Sequence, residues 1–175
     1  MDIVVIPDTA EGKTGKLVFG DLRCRCALGR GGAVHDKREG DGATPLGCFP
    51  LRRVLYRSDR LAAPRSILPV TPLNPEDGWC DDPSDPGYNQ PVILPHKGHC
   101  EILWREDTGY DVIVVLGHND APAIPGKGSA IFLHLAAADY APTQGCVAVA
   151  RDDLLELLAA VGPDTVIEIR AFEKN

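Results

Sequence analysis

Residues 129–136 read Ser-Ala-Ile-Phe-Leu-His-Leu-Ala, and residues 143–148 read Thr-Gln-Gly-Cys-Val-Ala. Each stretch contains a short run of apolar and β-branched residues, which is typical of a buried strand. The two stretches place one histidine, His134, and one cysteine, Cys146, at the ends of strands that we expect to be neighbours. We predict that these strands form an antiparallel pair joined by the loop 136–145, which would bring the two side chains together.

The rest of the chain predicts a mainly β fold around this pair. Further strands are predicted over residues 3–7, 16–28, 47–56, 111–117, 145–150 and 165–170. One helix is predicted from Asp152 to Val161, because acidic residues open it and Gly162-Pro163 ends it. The chain has 18 glycines and 15 prolines among its 175 residues, which favours turn-rich β structure. We predict a single domain over residues 1–175, with a curved β-sandwich or barrel core and one or two short helices.

The segment 58–108 departs from this pattern. It holds eight of the fifteen prolines and both tryptophans, and it has little hydrophobic periodicity. A segment of this length is unusual as a plain connection, so we expect a packed lid or a substrate loop. Trp79 is a candidate for contact with the substrate there, although anchoring of the segment to the core is the favoured role of its aromatic residues.

Charge and hydropathy exclude several classes of function. The net charge of −7 argues against binding to the phosphate backbone of nucleic acids. No apolar run is long enough to cross a bilayer. The first residues, 1–7, lack the basic and apolar regions of a secretory signal peptide. The oligomeric state stays open.

Three of the six cysteines are predicted to be small buried apolar residues. Cys24 and Cys26 alternate along one predicted strand, so their side chains share a face. Cys48 follows a Pro-Leu-Gly turn.

The segment 58–108 contains a second cluster of reactive residues, namely Cys80, His96, His99 and Cys100. Two cysteines and two histidines could form a tetrahedral zinc site. However, the adjacent His99 and Cys100 are poorly suited to binding one ion together, and Cys80 is distant in sequence. A Cys80–Cys100 disulfide is favoured if the chain reaches an oxidising periplasm. No metal or organic cofactor is therefore expected.

Cys146 and His134 are the residue types required for nucleophilic catalysis by a thiolate and its base. Gly145 lets the backbone turn tightly before the cysteine, and we expect the backbone N–H groups of this region to face a developing oxyanion. Thr143 is predicted to orient the loop or His134. A catalytic Cys146 is expected to show a lowered thiol pKa in labelling experiments. The alternative is a buried thiol beside a histidine with no catalytic role.

The stretch from Gly128 to Asp153 resembles the signature of the YkuD-type L,D-transpeptidases. These proteins carry a histidine, a spacer and a Ser/Thr-x-Gly-Cys box, and the matching residues here are His134, Thr143, Gly145 and Cys146. Residues 37–47 are similar to the Thr-Pro-x-Gly hairpin of that fold. The resemblance covers about two thirds of the chain, everything except the segment 58–108.

Two positions depart from the family pattern. Family members usually have histidine where this chain has Gln144, and arginine or asparagine where it has Ala148. Gln144 cannot titrate, so it cannot perform the acid–base role of that second histidine. The alanine at 148 implies a different mode of donor binding.

The resemblance implies an acyltransferase that works on peptidoglycan stem peptides. Cys146 would attack a stem-peptide carbonyl, and the amine of a second stem, typically on meso-diaminopimelate, would resolve the thioester. The products would be 3,3-type links or, given the altered box, 1,3-type links. Two alternatives are a hydrolase of wall peptides on the same fold and a non-catalytic wall-binding module. By function, the protein would work in the periplasm or the cell wall.

Several further residues are predicted to bind the substrate. His118 and Asn119 follow the strand 111–117, and a loop histidine capped by Asp120 is the alternative reading of His118. Gln144 lies in the cysteine box. Three cations on glycine-rich loops could bind the carboxylates of a stem peptide, with a solvated charged loop as the alternative. These are Arg30, Lys37 and Arg38.

Overall fold

The computed structural model of the chain describes residues 1–174. Its strands, in chain order, are β1 (Ile3–Pro7), β2 (Thr14–Phe19), β3 (Leu22–Ala27), β4 (Ala33–Val34), β5 (Thr44–Pro45), β6 (Gly47–Tyr56), β7 (Val70–Pro72), β8 (Asp77–Cys80), β9 (Pro91–Ile93), β10 (Cys100–Ile102), β11 (Val112–Leu116), β12 (Phe132–Leu135), β13 (Val147–Val149) and β14 (Val166–Ile169). One helix, α1 (Arg151–Ala160), is present in these residues.

Eight of the strands close into a barrel. Their hydrogen-bonded order is β11-β12-β13-β3-β2-β1-β14-β6, and β6 pairs with β11 to complete the circle. β7 extends the sheet beside β6. The prediction of a mainly β, barrel-like core is confirmed.

The strand predicted over residues 16–28 is in fact a hairpin, so that prediction is wrong. β2 and β3 pair in antiparallel fashion, with Phe19 opposite Leu22. Only Gly20 and Asp21 lie between them, and Gly20 has a φ of +58°. Hairpin turns of two residues require such backbone angles, which glycine adopts at low cost. The apolar alternation continues through the turn, so periodicity alone predicts one strand here instead of two.

The predicted antiparallel pairing of the His134 and Cys146 strands is also wrong. β12 and β13 are parallel, with His134 opposite Ala148. The loop between them reverses direction before it enters β13. It runs beside the end of β3, where the Thr143 N–H donates to the Leu28 carbonyl and the Arg30 N–H donates to the Thr143 carbonyl. This detour lets a connection without a helix join two parallel strands.

The helix α1 begins and ends one residue earlier than predicted. Its buried residues, Leu154, Leu157 and Leu158, belong to the core inside the barrel. The helix contacts β3 and β12. In residues 1–174, no helix has the length and apolar character needed to span a bilayer.

Two apolar cores share the strand β11. Val112, Val114 and Leu116 point into the barrel, where they join the larger core. Ile113 and Val115 point outward and join a second core. All five residues of β11 are buried, which is why the strand is an unbroken apolar run rather than an alternating one.

The segment 58–108 supplies much of the second core. Its strands β8, β9 and β10 form a three-stranded sheet in the order β10-β8-β9. Leu73, Trp79 and Leu103 from this segment pack with Phe132 and Cys146 on the outer face of the barrel. The predicted catalytic cysteine therefore lies between the barrel wall and this segment.

The three cysteines predicted to be buried differ in their surroundings. Cys26 is buried and Cys24 is partly buried, and both contribute to the barrel core. Cys48 is exposed, so the prediction for Cys48 is wrong. It lies on β6 opposite Glu168, another position of the barrel wall that is not fully buried.

Candidate active site

A cavity of about 610 Å³ opens beside the start of β13. Of the four predicted catalytic residues, Cys146, His134 and Thr143 line it. Its walls come from the loop 136–144, from residues 105–110, and from the segment 58–108, which contributes Asp81, His99 and Glu101. The cavity thus brings together parts of the chain that are distant in sequence.

The parallel pairing of β12 and β13 places Cys146 and His134 on one face of the sheet. His134 is opposite Ala148, and side chains two residues apart in a strand share a face, so Cys146 projects from the same side as Ala148. The Phe132 N–H donates to the Cys146 Sγ at 3.4 Å, and the thiol donates to the Ala130 carbonyl at 3.2 Å. These two bonds hold the sulfur against β12.

The Cys146 thiol is protonated at neutral pH. Burial, with a smaller contribution from the nearby Glu101 carboxyl group, raises the pKa of Cys146 to about 12. The Phe132 N–H, the charge of Lys37 and the Tyr110 hydroxyl oppose this and lower the pKa. The expectation of a lowered thiol pKa is therefore wrong, because desolvation outweighs the groups that favour the thiolate.

His134 is neutral and can accept a proton. Burial lowers the pKa of His134 to about 4, while the Leu135 carbonyl oxygen raises it and the charge of Arg105 lowers it. The His134 Nδ1 lies 3.0 Å from the Leu135 carbonyl oxygen. A carbonyl oxygen can only accept, so Nδ1 carries the proton and Nε2 keeps its lone pair. This is the tautomer that a general base requires.

Tyr110 contacts both members of the pair, although sequence reasoning missed it. Its ring meets the His134 ring edge to face, with 5.0 Å between the centroids. Its hydroxyl lies beside the Cys146 thiol and donates to a carboxyl oxygen of Glu101. Burial raises the pKa values of both Tyr110 and Glu101. The one sequence feature that could have indicated this part of the site is Glu101, the single acidic residue in the apolar run Cys100-Glu-Ile-Leu-Trp.

Thr143 shapes the turn that leads into Cys146. Its hydroxyl donates to the Cys146 carbonyl at 2.7 Å and accepts the Gly145 N–H at 3.1 Å. The Gly145 N–H is thus committed to the turn, which corrects the expectation that it faces an oxyanion. Thr143 orients the loop rather than His134.

Gly145 is required by sterics. Its φ is +133°, and a Cβ at this position would lie 2.7 Å from the Ala43 carbonyl oxygen. The same backbone angle occurs at Gly47, with φ of +134°, but there a Cβ would meet only the Phe49 ring at 3.4 Å. Alanine substitutions at these two glycines therefore distinguish the energetic cost of the backbone angle from that of the close contact with Ala43.

We expect Gly145→Ala to lower the free energy of unfolding by about 2–4 kcal/mol, since a strained backbone angle and a clash with main chain add together. Gly47→Ala is the matched control and should cost about 1–3 kcal/mol from the angle alone. Thermal or denaturant unfolding of the purified variants measures both. Equal losses of unfolding free energy in the two variants would show that the contact with Ala43 adds nothing to the cost of the backbone angle.

Two of the predicted substrate-binding residues line the cavity, namely Arg30 and Gln144, and both are exposed. Arg105 adds a second cation that the sequence analysis did not select. Glu39 and Glu101 place carboxyl groups in the same cavity. A ligand in this cavity would therefore be close to both basic and acidic side chains.

His118 and Asn119 lie outside this cavity. The His118 Nε2 contacts the Lys127 carbonyl at 3.0 Å, and its ring packs edge to face on Phe49. Asn119 holds its own loop, because its amide donates to the carbonyls of Ile124 and Gly128. Both residues thus fix the loop that leads to β12.

Lys37 and Arg38 also lie outside the cavity. Lys37 is buried, forms an ion pair with Asp41 and donates to the Arg38 carbonyl at 2.7 Å. Arg38 is exposed and pairs with Asp36. The charge of Lys37 still acts on the site, because it lowers the pKa of Cys146.

Trp79 is buried and anchors the segment 58–108, which is the role that the sequence favoured over contact with the substrate. Its ring packs edge to face on Phe132, and its Nε1 donates to the Asn89 Oδ1 at 2.9 Å. The same Asn89 oxygen accepts the Ala130 N–H at 3.1 Å, and the Asn89 amide donates to the carbonyls of His118 and Asn119. Asn89 thus ties the segment to the backbone just before β12, a role that sequence reasoning missed.

The raised thiol pKa predicts the pH dependence of alkylation. In the folded protein, the rate at which iodoacetamide modifies Cys146 should rise continuously from pH 7 to pH 10, because only the thiolate reacts and its fraction grows with each pH step below a pKa of about 12. In the urea-unfolded chain the rate should level off near the ordinary thiol pKa of about 8.5. Peptide mapping by mass spectrometry isolates this residue. A plateau near neutrality in the folded protein would show a preformed thiolate instead.

Comparison with known families agrees with this geometry. The family model YkuD, the L,D-transpeptidase catalytic domain, matches residues 4–169. The match includes the segment 58–108, which the resemblance seen in the sequence had left out. Neither the curated proteins nor the solved structures gave a match.

Proposed function

Because the chain belongs to the YkuD family of L,D-transpeptidase catalytic domains, we propose that it cross-links peptidoglycan stem peptides by acyl transfer through Cys146. Members of this family are cysteine-dependent acyltransferases that act on peptidoglycan peptides. The observation that supports the proposal is that Cys146 and His134 share one sheet face and line one cavity. By its substrate, the protein would work in the periplasm or the cell wall.

The two protonation states define the first chemical step. In the proposed step the neutral His134 Nε2 removes the proton of the neutral Cys146 thiol as sulfur attacks the donor carbonyl. A new C–S bond forms, and the proton moves to His134. Collapse of the tetrahedral intermediate breaks the C–N bond of the donor, and His134 returns the proton to the leaving amine. The product is a thioester on Cys146.

The second step uses the amine of another stem peptide. His134, neutral again, accepts a proton from that amine as it attacks the thioester carbonyl. The C–S bond breaks, and the thiol recovers its proton from His134. The Tyr110 hydroxyl lies beside the sulfur and has one proton, which it donates to Glu101 in the resting site. In both steps this proton would turn from Glu101 to the oxyanion, which makes Tyr110 the proposed oxyanion donor. Buried donors of this kind favour charge that develops in the transition state.

The charges of the cavity suit stem peptides, which carry both carboxylates and amines. Arg30 and Arg105 can bind donor carboxylates, and Glu39 can bind an acceptor ammonium group before it loses its proton. Ala148, which replaces the usual arginine or asparagine, is buried opposite His134 and presents only a methyl group. The donor must therefore be held by the cavity rim rather than from β13.

Incubation with purified disaccharide-peptides tests this function. Wild-type protein should convert monomers that contain meso-diaminopimelate into dimers, and mass spectrometric fragmentation of the dimers identifies the donor residue as a 3,3-type or 1,3-type link. The Cys48→Ala variant should produce the same dimers, because Cys48 lies on the barrel wall away from the cavity. Shortened monomers without dimers would show that the protein is a hydrolase and not a transferase. Unchanged monomers would favour a wall-binding module.

A further inference from the structure

Three metal-binding side chains meet in the sheet of the segment 58–108. The ligand atoms of Cys80, His96 and Cys100 all lie within 4.8 Å of one another. Zinc binds thiolate sulfur at about 2.3 Å and imidazole nitrogen at about 2.0–2.1 Å, so two sulfurs on one ion are at most about 4.6 Å apart. The upper limit on the three separations is thus close to the spacing that one zinc ion requires.

The backbone delivers these side chains from two strands and one turn. β8 and β10 are antiparallel, and Cys80 is directly opposite Cys100. His96 comes from the connection between β9 and β10. Cys80 is buried, and His96 and Cys100 are partly buried, so bulk water has limited access to the cluster.

His96 also has the carboxylate partner that metal-binding histidines usually have. Its Nε2 lies 3.0 Å from the Asp85 Oδ2. The other Asp85 oxygen accepts the Gly87 N–H at 2.7 Å, which fixes the carboxylate in its loop. A hydrogen bond of this kind sets the tautomer and leaves the other ring nitrogen free for a metal.

His99 is excluded from the cluster, which removes the objection that adjacent residues would have to share one ion. The His99 Nδ1 lies 2.5 Å from the Asp81 Oδ1, and the His99 side chain is exposed. Cys80, although distant in sequence, is a direct neighbour of Cys100 in the sheet. The donor set is therefore two sulfurs and one nitrogen.

We propose that Cys80, His96 and Cys100 bind a zinc ion that joins β8, β10 and the turn before β10. Two thiolates and one imidazole form a donor set that zinc prefers, with water as the fourth ligand. A Cys80–Cys100 disulfide would use both sulfurs but would leave His96 and its Asp85 partner unexplained. The ion would also steady one wall of the cavity, because Asp81, His99 and Glu101 flank the ligands and line that wall.

Metal binding by the full chain tests this proposal. Protein stripped with a chelator under reducing conditions should take up one zinc ion per chain. Cobalt(II) in its place should give the absorption of thiolate-to-cobalt charge transfer. Cys80→Ser, His96→Gln and Cys100→Ser should each weaken zinc binding at least about a hundredfold, as measured by competition with a chromophoric chelator. Cys48→Ser and His99→Gln are matched controls that should bind as the wild type does.

A further variant keeps the test valid if a ligand substitution disturbs folding. Asp85→Asn retains all three ligands and should weaken zinc binding about tenfold to a hundredfold, since it removes only the carboxylate behind His96. The proposal is overturned if the reduced wild-type protein binds no more zinc or cobalt than a variant that lacks all three ligands. It is equally overturned if the two cysteines form a disulfide and the reduced protein then binds no metal.

Discussion

Replacing Cys146 with alanine is expected to reduce the formation of peptidoglycan dimers by at least about a thousandfold, because no other group in the cavity can form the thioester. The barrel should persist in this variant. The substitution removes one buried sulfur and leaves the Phe132 N–H and the Ala130 carbonyl without their partner, so we expect a loss of about 1–3 kcal/mol in the free energy of unfolding. Product analysis by mass spectrometry and a thermal melt measure the two effects.

Cys146→Ser separates the two roles of this side chain. A hydroxyl can keep both hydrogen bonds but is a far weaker nucleophile, so this variant should be as inactive as the alanine variant and closer to wild type in stability. Cys26→Ala removes a buried thiol from the barrel core instead and should retain activity. Dimer formation by either Cys146 variant at a rate near that of the wild type would rule out the thioester mechanism.

Replacing His134 with glutamine is expected to lower the rate of acyl transfer about a hundredfold to ten-thousandfold, which is the usual contribution of a positioned general base. The wild-type rate should depend on pH in a related way. The imidazole is neutral above its folded-state pKa of about 4, so the acidic limb of the pH–rate profile should lie near pH 4 rather than near 6.5. Steady-state kinetics over a pH series measures both quantities.

The control for this prediction is His35→Gln. His35 is exposed and lies outside the cavity, so its replacement should leave both the rate and the acidic limb unchanged. If His134→Gln lost rate but kept an acidic limb identical to that of the wild type, another group would have to be the base that titrates near pH 4.

The fold class and the placement of Cys146 and His134 at one cavity followed from the sequence because both depend on local patterns. Apolar runs near Ser129–Leu135 and Asp111–Gly117 identify buried strands, and the Thr143–Cys146 box lies at the start of another. The direction of pairing did not follow from them. Apolar alternation is the same in parallel and antiparallel neighbours, and only the path of the loop beside β3 makes β12 and β13 parallel.

The remaining features of the site depend on contacts between distant residues. Tyr110 and Glu101 act on Cys146 only because the segment 58–108 packs on the outer face of the barrel. The lowered thiol pKa was predicted from a general property of reactive cysteines, but the same packing buries Cys146 and raises its pKa. Periodicity and motif spacing carry no information on such burial.

The strand β11 contributes apolar side chains to the barrel core from one face and to the outer core from the other. Displacing the segment 58–108 from the barrel would expose Ile113 and Val115 to water. It would also destabilise the strand of the barrel wall to which Val112 and Val114 belong. The two cores should therefore unfold as one cooperative unit, and amide hydrogens along β11 should exchange only when the whole molecule opens. Substrate must then enter through the existing mouth of the cavity, since displacing this segment would cost much of the stability of the fold.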